Sequence, residues 1–167
     1  MKIAVIADTH MPKRAKQLPK KLIEDLINVD LILHAGDWQT EEVWEEVSVL
    51  APVEGVAGNV DNDKLHNQLG KKKIFDFHNV SIGLIHGDGK SKTTEKRALD
   101  AFAFDDVDII VFGHSHIPVL KVVDDILLFN PGSPTDKRRQ EQYSYGLIEI
   151  EEKVVLKHMF FSNKSSI

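Results

Sequence analysis

Short, wholly apolar runs alternate along this chain with stretches in which apolar residues recur every three or four positions. Residues 3–7, IAVIA, are rich in branched side chains and too short for a helix, which predicts a strand covered on both faces. Residues 31–35, LILHA, and the apolar run in 107–116, VDIIVFGHSH, repeat that pattern. Between the first two, LPKKLIEDLI at 18–27 sets Leu22, Ile23, Leu26 and Ile27 at helical spacing. Thr40 followed by Glu41 and Glu42 reads as an acid-rich helix start, with Val43, Trp44, Val47 and Leu50 as its buried face and Pro52 as its stop. A further helix is expected over 93–104, with Ala98, Leu99, Phe102 and Ala103 turned inward.

Three stretches read as hairpins: 74–86 about His78 and Asn79, 117–130 about Asp124 and Asp125, and 146–160, whose alternation is clear. The segment PVEGVAGNVD adds a short strand and a Gly58-Asn59 turn. Taken in order, two βα units, a strand with a hairpin, another βα unit and closing hairpins predict an α/β fold of two packed mixed β-sheets flanked by helices.

Composition narrows the class. A chain of 167 residues, 42% hydrophobic and 28% charged, fits a single globular domain over 1–167. No apolar run reaches the roughly 18 residues that span a bilayer, and the first residues turn polar too early for a signal peptide, so the expected compartment is the cytoplasm, with no membrane partner. The absence of cysteine removes disulfides, thiolate nucleophiles and Cys-based zinc sites, so a transition metal would need His, Asp, Glu or Asn. The formal net charge of −5 argues against nucleic acid as a stable partner, with local exceptions at Lys71-Lys72-Lys73 and Lys137-Arg138-Arg139.

The polar residues that punctuate the strand ends carry the chemistry. Asp8 and His10 follow the first strand, two positions apart, and in an extended chain both side chains would face one side and could share an ion. Asp37 follows the second strand beyond Gly36; Asn59 follows Gly58; His86 closes a hairpin; His114 and His116 follow another apolar strand and a glycine. Alone, Asp8 and His10 read equally well as a turn with a helix cap, while Asp37 and Asn59 read better as cap or turn residues and His86 as a structural histidine. The turn Asn130-Pro131-Gly132-Ser133 offers N–H groups and a hydroxyl beside the presumed crevice, and Lys137, Arg138 and Arg139 follow it with charge for an anion. GDGKS at 87–91 is rejected as a phosphate-binding P-loop, because Leu84 stands where that pattern needs glycine. His34, His66, His78 and His158 receive no site role.

As an ordered set, D-x-H, G-D, G-N-x-D, H and G-H-x-H resemble the blocks of the calcineurin-like metallophosphoesterase superfamily, most of all its small YfcE-like bacterial and archaeal phosphodiesterases. The resemblance runs from Asp8 to His116 and into the Asn130–Ser133 turn. It implies a four-layer sandwich and two divalent metal ions: Asp8, His10 and His116 on the first, Asn59, His86 and His114 on the second, Asp37 bridging. Such ligands suit Mn foremost, with Ni, Fe, Co or Zn as alternatives. The implied reaction is hydrolysis of a small phosphate ester, a diester before a monoester, by a metal-bridging hydroxide that Asp37 positions, while Asn59 also donates to a phosphoryl oxygen. Ser133 and Arg138 are the expected substrate contacts.

Two departures bear on mechanism. Larger relatives place histidine after the asparagine to assist the leaving group, and this chain has Val60; many place histidine where Asp88 stands. The source of the leaving-group proton and the role of Asp88 are therefore open at this stage. Two other readings compete with the enzyme: a protein-interaction scaffold like the retromer's phosphoesterase-like sorting subunit, and a metal sensor. Apolar strand edges such as that of the closing hairpin leave room for a homo-oligomer.

Overall fold

In the computed structural model, which describes residues 1–164, ten strands and four helices follow one another as β1 (Lys2–Ile6), α1 (Lys20–Leu26), β2 (Leu31–His34), α2 (Glu41–Ser48), β3 (Val53–Gly55), α3 (Asp63–Leu69), β4 (Lys72–Phe77), β5 (Val80–Ile85), α4 (Thr94–Ala101), β6 (Ile109–Val111), β7 (Val119–Val123), β8 (Ile126–Asn130), β9 (Tyr143–Ile150) and β10 (Val154–Phe161). They form two five-stranded sheets, ordered β10-β9-β1-β2-β3 and β4-β5-β6-β8-β7. Each sheet is mixed. In the first, β1, β2 and β3 are parallel, with Ile3 opposite Leu31 and Ile32 opposite Val53, and β9 and β10 run antiparallel. In the second, β5, β6 and β8 are parallel and β4 and β7 close the edges antiparallel.

The continuous apolar run of β1 follows from its position. Ile3, Val5 and Ala7 point between the sheets against Ile82, Leu84, Ile109 and Val111, whereas Ala4 and Ile6 point outward against α1, α2 and α3 through Leu22, Leu26, Val43, Val47 and Leu65. Water reaches neither face, so neither can be polar. On the far side, Ala98 and Phe102 cover Ile110 and Leu128. The result is four layers: helices, sheet, sheet, helix. Among the described residues no helix is long and apolar enough to cross a membrane.

Three local expectations change. α1 stops at Leu26, so Ile27 is 56% exposed rather than packed. The last helix ends at Ala101; Phe102 is buried just beyond it, but Ala103 faces solvent. The helix α3 has no counterpart in the apolar pattern, because its seven residues carry only Leu65 and Leu69 inward; its start is fixed locally, with Asn62 Oδ1 accepting from Leu65 N at 3.0 Å.

For the site, what matters is direction. The six parallel strands of the two sheets all have their carboxyl ends followed by the polar segments singled out in the sequence, and ligands in open α/β sheets bind beyond such ends.

Candidate metal centre

The loops after β1, β2, β3, β5 and β6 bring Asp8, His10, Asp37, Asn59, His86, His114 and His116 together. Two groups have donor atoms within 4.8 Å of one another: Asp8, His10 and His116, and Asp37, His86 and His114. Asn59 joins the second, its Oδ1 lying 3.1 Å from both His86 Nε2 and His114 Nδ1. The two groups abut, with His10 Nε2 3.4 Å from Asp37 Oδ2 and His86 Nε2 3.9 Å from Asp8 Oδ1.

The backbone achieves this differently from an extended chain. β1 ends at Ile6 and β6 at Val111, and five of the residues just named occupy the left-handed region: Asp8 (φ 57°), His10 (46°), Asp37 (60°), His114 (68°) and His116 (61°). A non-glycine residue held there costs on the order of 1 kcal/mol or more, and such residues collect where a site demands them. The strain is held by cross-loop hydrogen bonds: Asp8 N to Gly36 O at 3.0 Å, His10 N to Asp37 O at 3.0 Å, Met11 N to Trp38 O at 3.1 Å, and Gly113 N to His86 O at 3.0 Å. Gly58 is required by proximity, since any side chain there would run into Asp37 Oδ1.

Electrostatics separates the members. Asp8 is completely buried, and that burial pushes its carboxyl up to about 7. Burial also pulls the imidazoles of His10 and His114 down, and that of His116 down to about 4, so their lone pairs are free near neutral pH. His86 is buried too, but Asp37 and Asp8 outweigh the burial and raise it to about 9. Asp37 answers in kind: burial would raise it, yet its hydrogen bond and charge interaction with His86 bring it to about 2. The remaining ring nitrogens fix orientation, with His86 Nδ1 donating to Ala35 O at 2.7 Å and His116 Nδ1 to Asp136 O at 2.6 Å, which turns each Nε2 inward.

Three of the four buried side-chain polar atoms without a hydrogen-bond partner among the described residues lie in the first group: Asp8 Oδ2, His10 Nε2 and His116 Nε2. Buried polar atoms are ordinarily paired, and two neutral imidazoles, His116 with its Nε2 lone pair turned inward, beside a carboxyl oxygen form a donor set for a borderline divalent cation. These residues fit a metal ion.

Several supports had no assigned role in the sequence. Asp61 accepts from the backbone N–H groups of Asp37 (3.0 Å), Gln39 (2.7 Å) and Gly58 (2.7 Å), locking the Asp37 loop to the Asn59 loop. His34, stacked on Trp38 with ring centres 3.6 Å apart, accepts from Gly36 N through Nδ1, so its Nε2–H faces Thr9 Oγ1 at 3.0 Å. The only sequence signal for either was a titratable residue within a strand-end motif. Val60 lends Asp37 its N–H, which donates to Oδ1 at 3.0 Å.

The two expected substrate contacts part company. Ser133 is buried; its hydroxyl donates to Asp8 O at 2.8 Å and accepts from Asp136 N at 2.8 Å, so it braces the first loop rather than opening to the crevice. Arg138 is exposed with φ 48°, and after burial its charge is among the influences on Asp8, His10 and His116, opposing protonation of each. Asp88 is partly buried, and its charge favours the protonated form of His114.

This fold and this ordered set of side chains define a class. The chain belongs to the calcineurin-like phosphoesterase superfamily, whose domain model matches residues 1–153. A probable metallophosphoesterase of Methanocaldococcus jannaschii is 40% identical over 139 residues, covering 83% of this chain and 70% of the relative. A phosphodiesterase of the same organism is 29% identical over 146 residues, 79% of this chain and 83% of that protein. Vps29 of Chaetomium thermophilum shares the fold, with a TM-score of 0.80 over 97% of this chain and 98% of that one at 20% identity.

Proposed function

We infer that the protein is a divalent-metal-dependent phosphoesterase acting on a small phosphodiester. The observation that carries this reading is the convergence of three unpartnered buried atoms, Asp8 Oδ2, His10 Nε2 and His116 Nε2, beside a second group of the same chemistry. Asp8, His10 and His116 would hold one ion, Asn59, His86 and His114 the other, and Asp37 both. Mn is the first candidate, with Ni, Fe, Co and Zn also compatible with the donor set. A bound ion pair supplies Lewis acidity, polarising a phosphoryl oxygen and lowering the pKa of water near neutrality.

The chain's own residues do the rest. Asn59 presents Oδ1 to the two imidazoles, which leaves its Nδ2 to donate to a phosphoryl oxygen as charge develops there. Arg138 adds positive charge on the approach to the site. Val60 carries no proton to give, so the favoured substrates have leaving groups that depart without one. The phosphodiesterase among the relatives supports the choice of a diester.

The test uses metal-stripped protein on a chromogenic diester with and without added Mn, beside Asp37→Ala and His86→Ala. Turnover restored by metal and lost in both variants is the expected result. No turnover with any of the five metals would assign the protein to the scaffold reading.

A further inference from the structure

Next to the metal centre, a groove of about 320 Å³ runs between the loops after β1 and β8, lined by Lys13, Arg14, Asp136, Lys137, Arg138 and Lys164. Five cations face one carboxylate there, in a chain whose formal net charge is −5. That carboxylate is already engaged, Asp136 Oδ2 lying 3.2 Å from Arg14 Nε. Lys164 Nζ donates to the carbonyls of Arg14 (2.5 Å) and Thr135 (3.0 Å), and Lys137 Nζ donates to the carbonyl of Gln140 (3.0 Å). Both ammonium groups also lie over the Tyr143 ring, at 5.6 and 5.8 Å from its centre. Carbonyls and a ring hold these ammonium groups in place without neutralising them. Crowded like charges repel, and an anion in the groove would relieve that repulsion.

The groove shares a wall with the metal centre. Thr135 Oγ1 donates to Thr9 O at 2.6 Å, between Asp8 and His10, while its own carbonyl accepts from Lys164. Asp136 accepts from His116 through its carbonyl and engages Arg14 through its carboxylate. Two consecutive residues thus face the metal ligands on one side and the cations on the other.

We propose that this groove binds a second, non-scissile phosphate, so that the preferred substrate is a phosphodiester carrying a further phosphate on the part retained after cleavage. The proposal rests on the phosphoesterase reading above and specifies its substrate class.

The test compares two diesters with the same leaving group, thymidine 5′-(4-nitrophenyl phosphate) bearing either a 3′-hydroxyl or a 3′-phosphate, hydrolysed by Mn-loaded protein. The 3′-phosphate is expected to raise kcat/KM about tenfold through KM, the size of one charge-assisted hydrogen bond. Lys13→Glu combined with Lys164→Gln should bring the ratio down to about one. Equal kcat/KM in the unaltered protein overturns the proposal and leaves the phosphoesterase reading standing; no turnover of either substrate overturns both. A second readout needs no catalysis: inorganic phosphate added to metal-free protein should give saturable NMR shifts at the amides of Arg14, Thr135 and Lys164, lost in the double variant. Shifts absent from those amides overturn the proposal. Lys13→Glu alone, at an exposed loop position, should lower both the ratio and the phosphate affinity, and serves if the double variant folds poorly. Affinity for single-stranded oligonucleotides that climbs with length would give the groove to a nucleic-acid backbone instead, and would also overturn the proposal.

Discussion

The two halves of the metal centre have the same kinds of side chain and opposite states. Asp8, His10 and His116 are all buried, and three of their inward atoms lack a partner among the described residues. Asp37 and His86 neutralise each other at 3.1 Å, His114 is only partly buried, and Asn59 reaches into solvent. In the first half the inward atoms stand unpaired and the Asp8 carboxyl, at about 7, exchanges its proton near neutral pH; in the second a proton on His86, at about 9, stands against Asp37 where a cation would sit. A metal ion therefore displaces a loosely held proton from the first half and a firmly held one from the second.

The largest effect should come from removing the residue we propose serves both halves. Asp37→Ala deletes that carboxylate and should cut diester hydrolysis by more than about a thousandfold, beyond the roughly 10–100-fold typical of losing a supporting partner. Steady-state kinetics at saturating Mn check this, and a loss under tenfold would mean that Asp37 is not shared.

Next in size is the dependence on pH. Near pH 6 both Asp8 (about 7) and His86 (about 9) hold a proton in the metal-free protein. Binding must release both, so apparent Mn affinity should climb by two to three orders of magnitude (~10²–10³) between about pH 6 and 8. Calorimetry in buffers of different ionisation enthalpy would count the protons. The linked stability has a definite sign. His86 is raised above its unfolded value of 6.5, so its contribution is full below that and lost as pH rises through about 9. Metal-free protein should therefore melt lower at pH 10 than at pH 8, a window above the shifted values of Asp8 and His116. A flat melting temperature there would mean the Asp37–His86 pair is not charged.

Why the two halves differ was not legible in the sequence, although their membership was. Strand-like runs ending in Asp, His or Asn mark which residues stand at strand ends, and an ordered set of five such ends is hard to produce by accident. Side-chain direction is another matter. Spacing by two implied that Asp8 and His10 share a side because the chain is extended; they meet instead through two left-handed residues. Helix boundaries failed for a similar reason, since Ile27 continues the apolar pattern after the helix that would have buried it has ended. Asp61 was visible as a letter in G-N-x-D, but nothing in a one-dimensional pattern reveals three converging N–H groups.

Loss of the Asp61 carboxylate should have a smaller effect. Asp61→Ala would strand the N–H groups of Asp37, Gln39 and Gly58, at about 1–3 kcal/mol for each that water cannot reach. The Asp37 loop would loosen, and activity should fall about 10–100-fold with a matching loss of metal affinity. Asp61→Asn keeps an acceptor oxygen and should recover part of both. Thermal melts beside metal titrations test this, and an Ala variant with native metal affinity would remove Asp61 from the site.

The mildest change separates bracing from substrate contact. Ser133→Ala removes the hydroxyl that donates to Asp8 O and accepts from Asp136 N and, more weakly, from Thr135 N, at a cost of about 1–2 kcal/mol for these bonds together. Because Asp136 O in turn holds His116, the first half of the centre should feel the loss as Mn affinity weakened about threefold to tenfold, with KM for the diester unchanged once metal saturates. A substrate contact would give the reverse: an unaltered metal titration and a raised KM. Measuring both constants on one variant decides whether this buried hydroxyl acts through the metal ligands or on the ester itself.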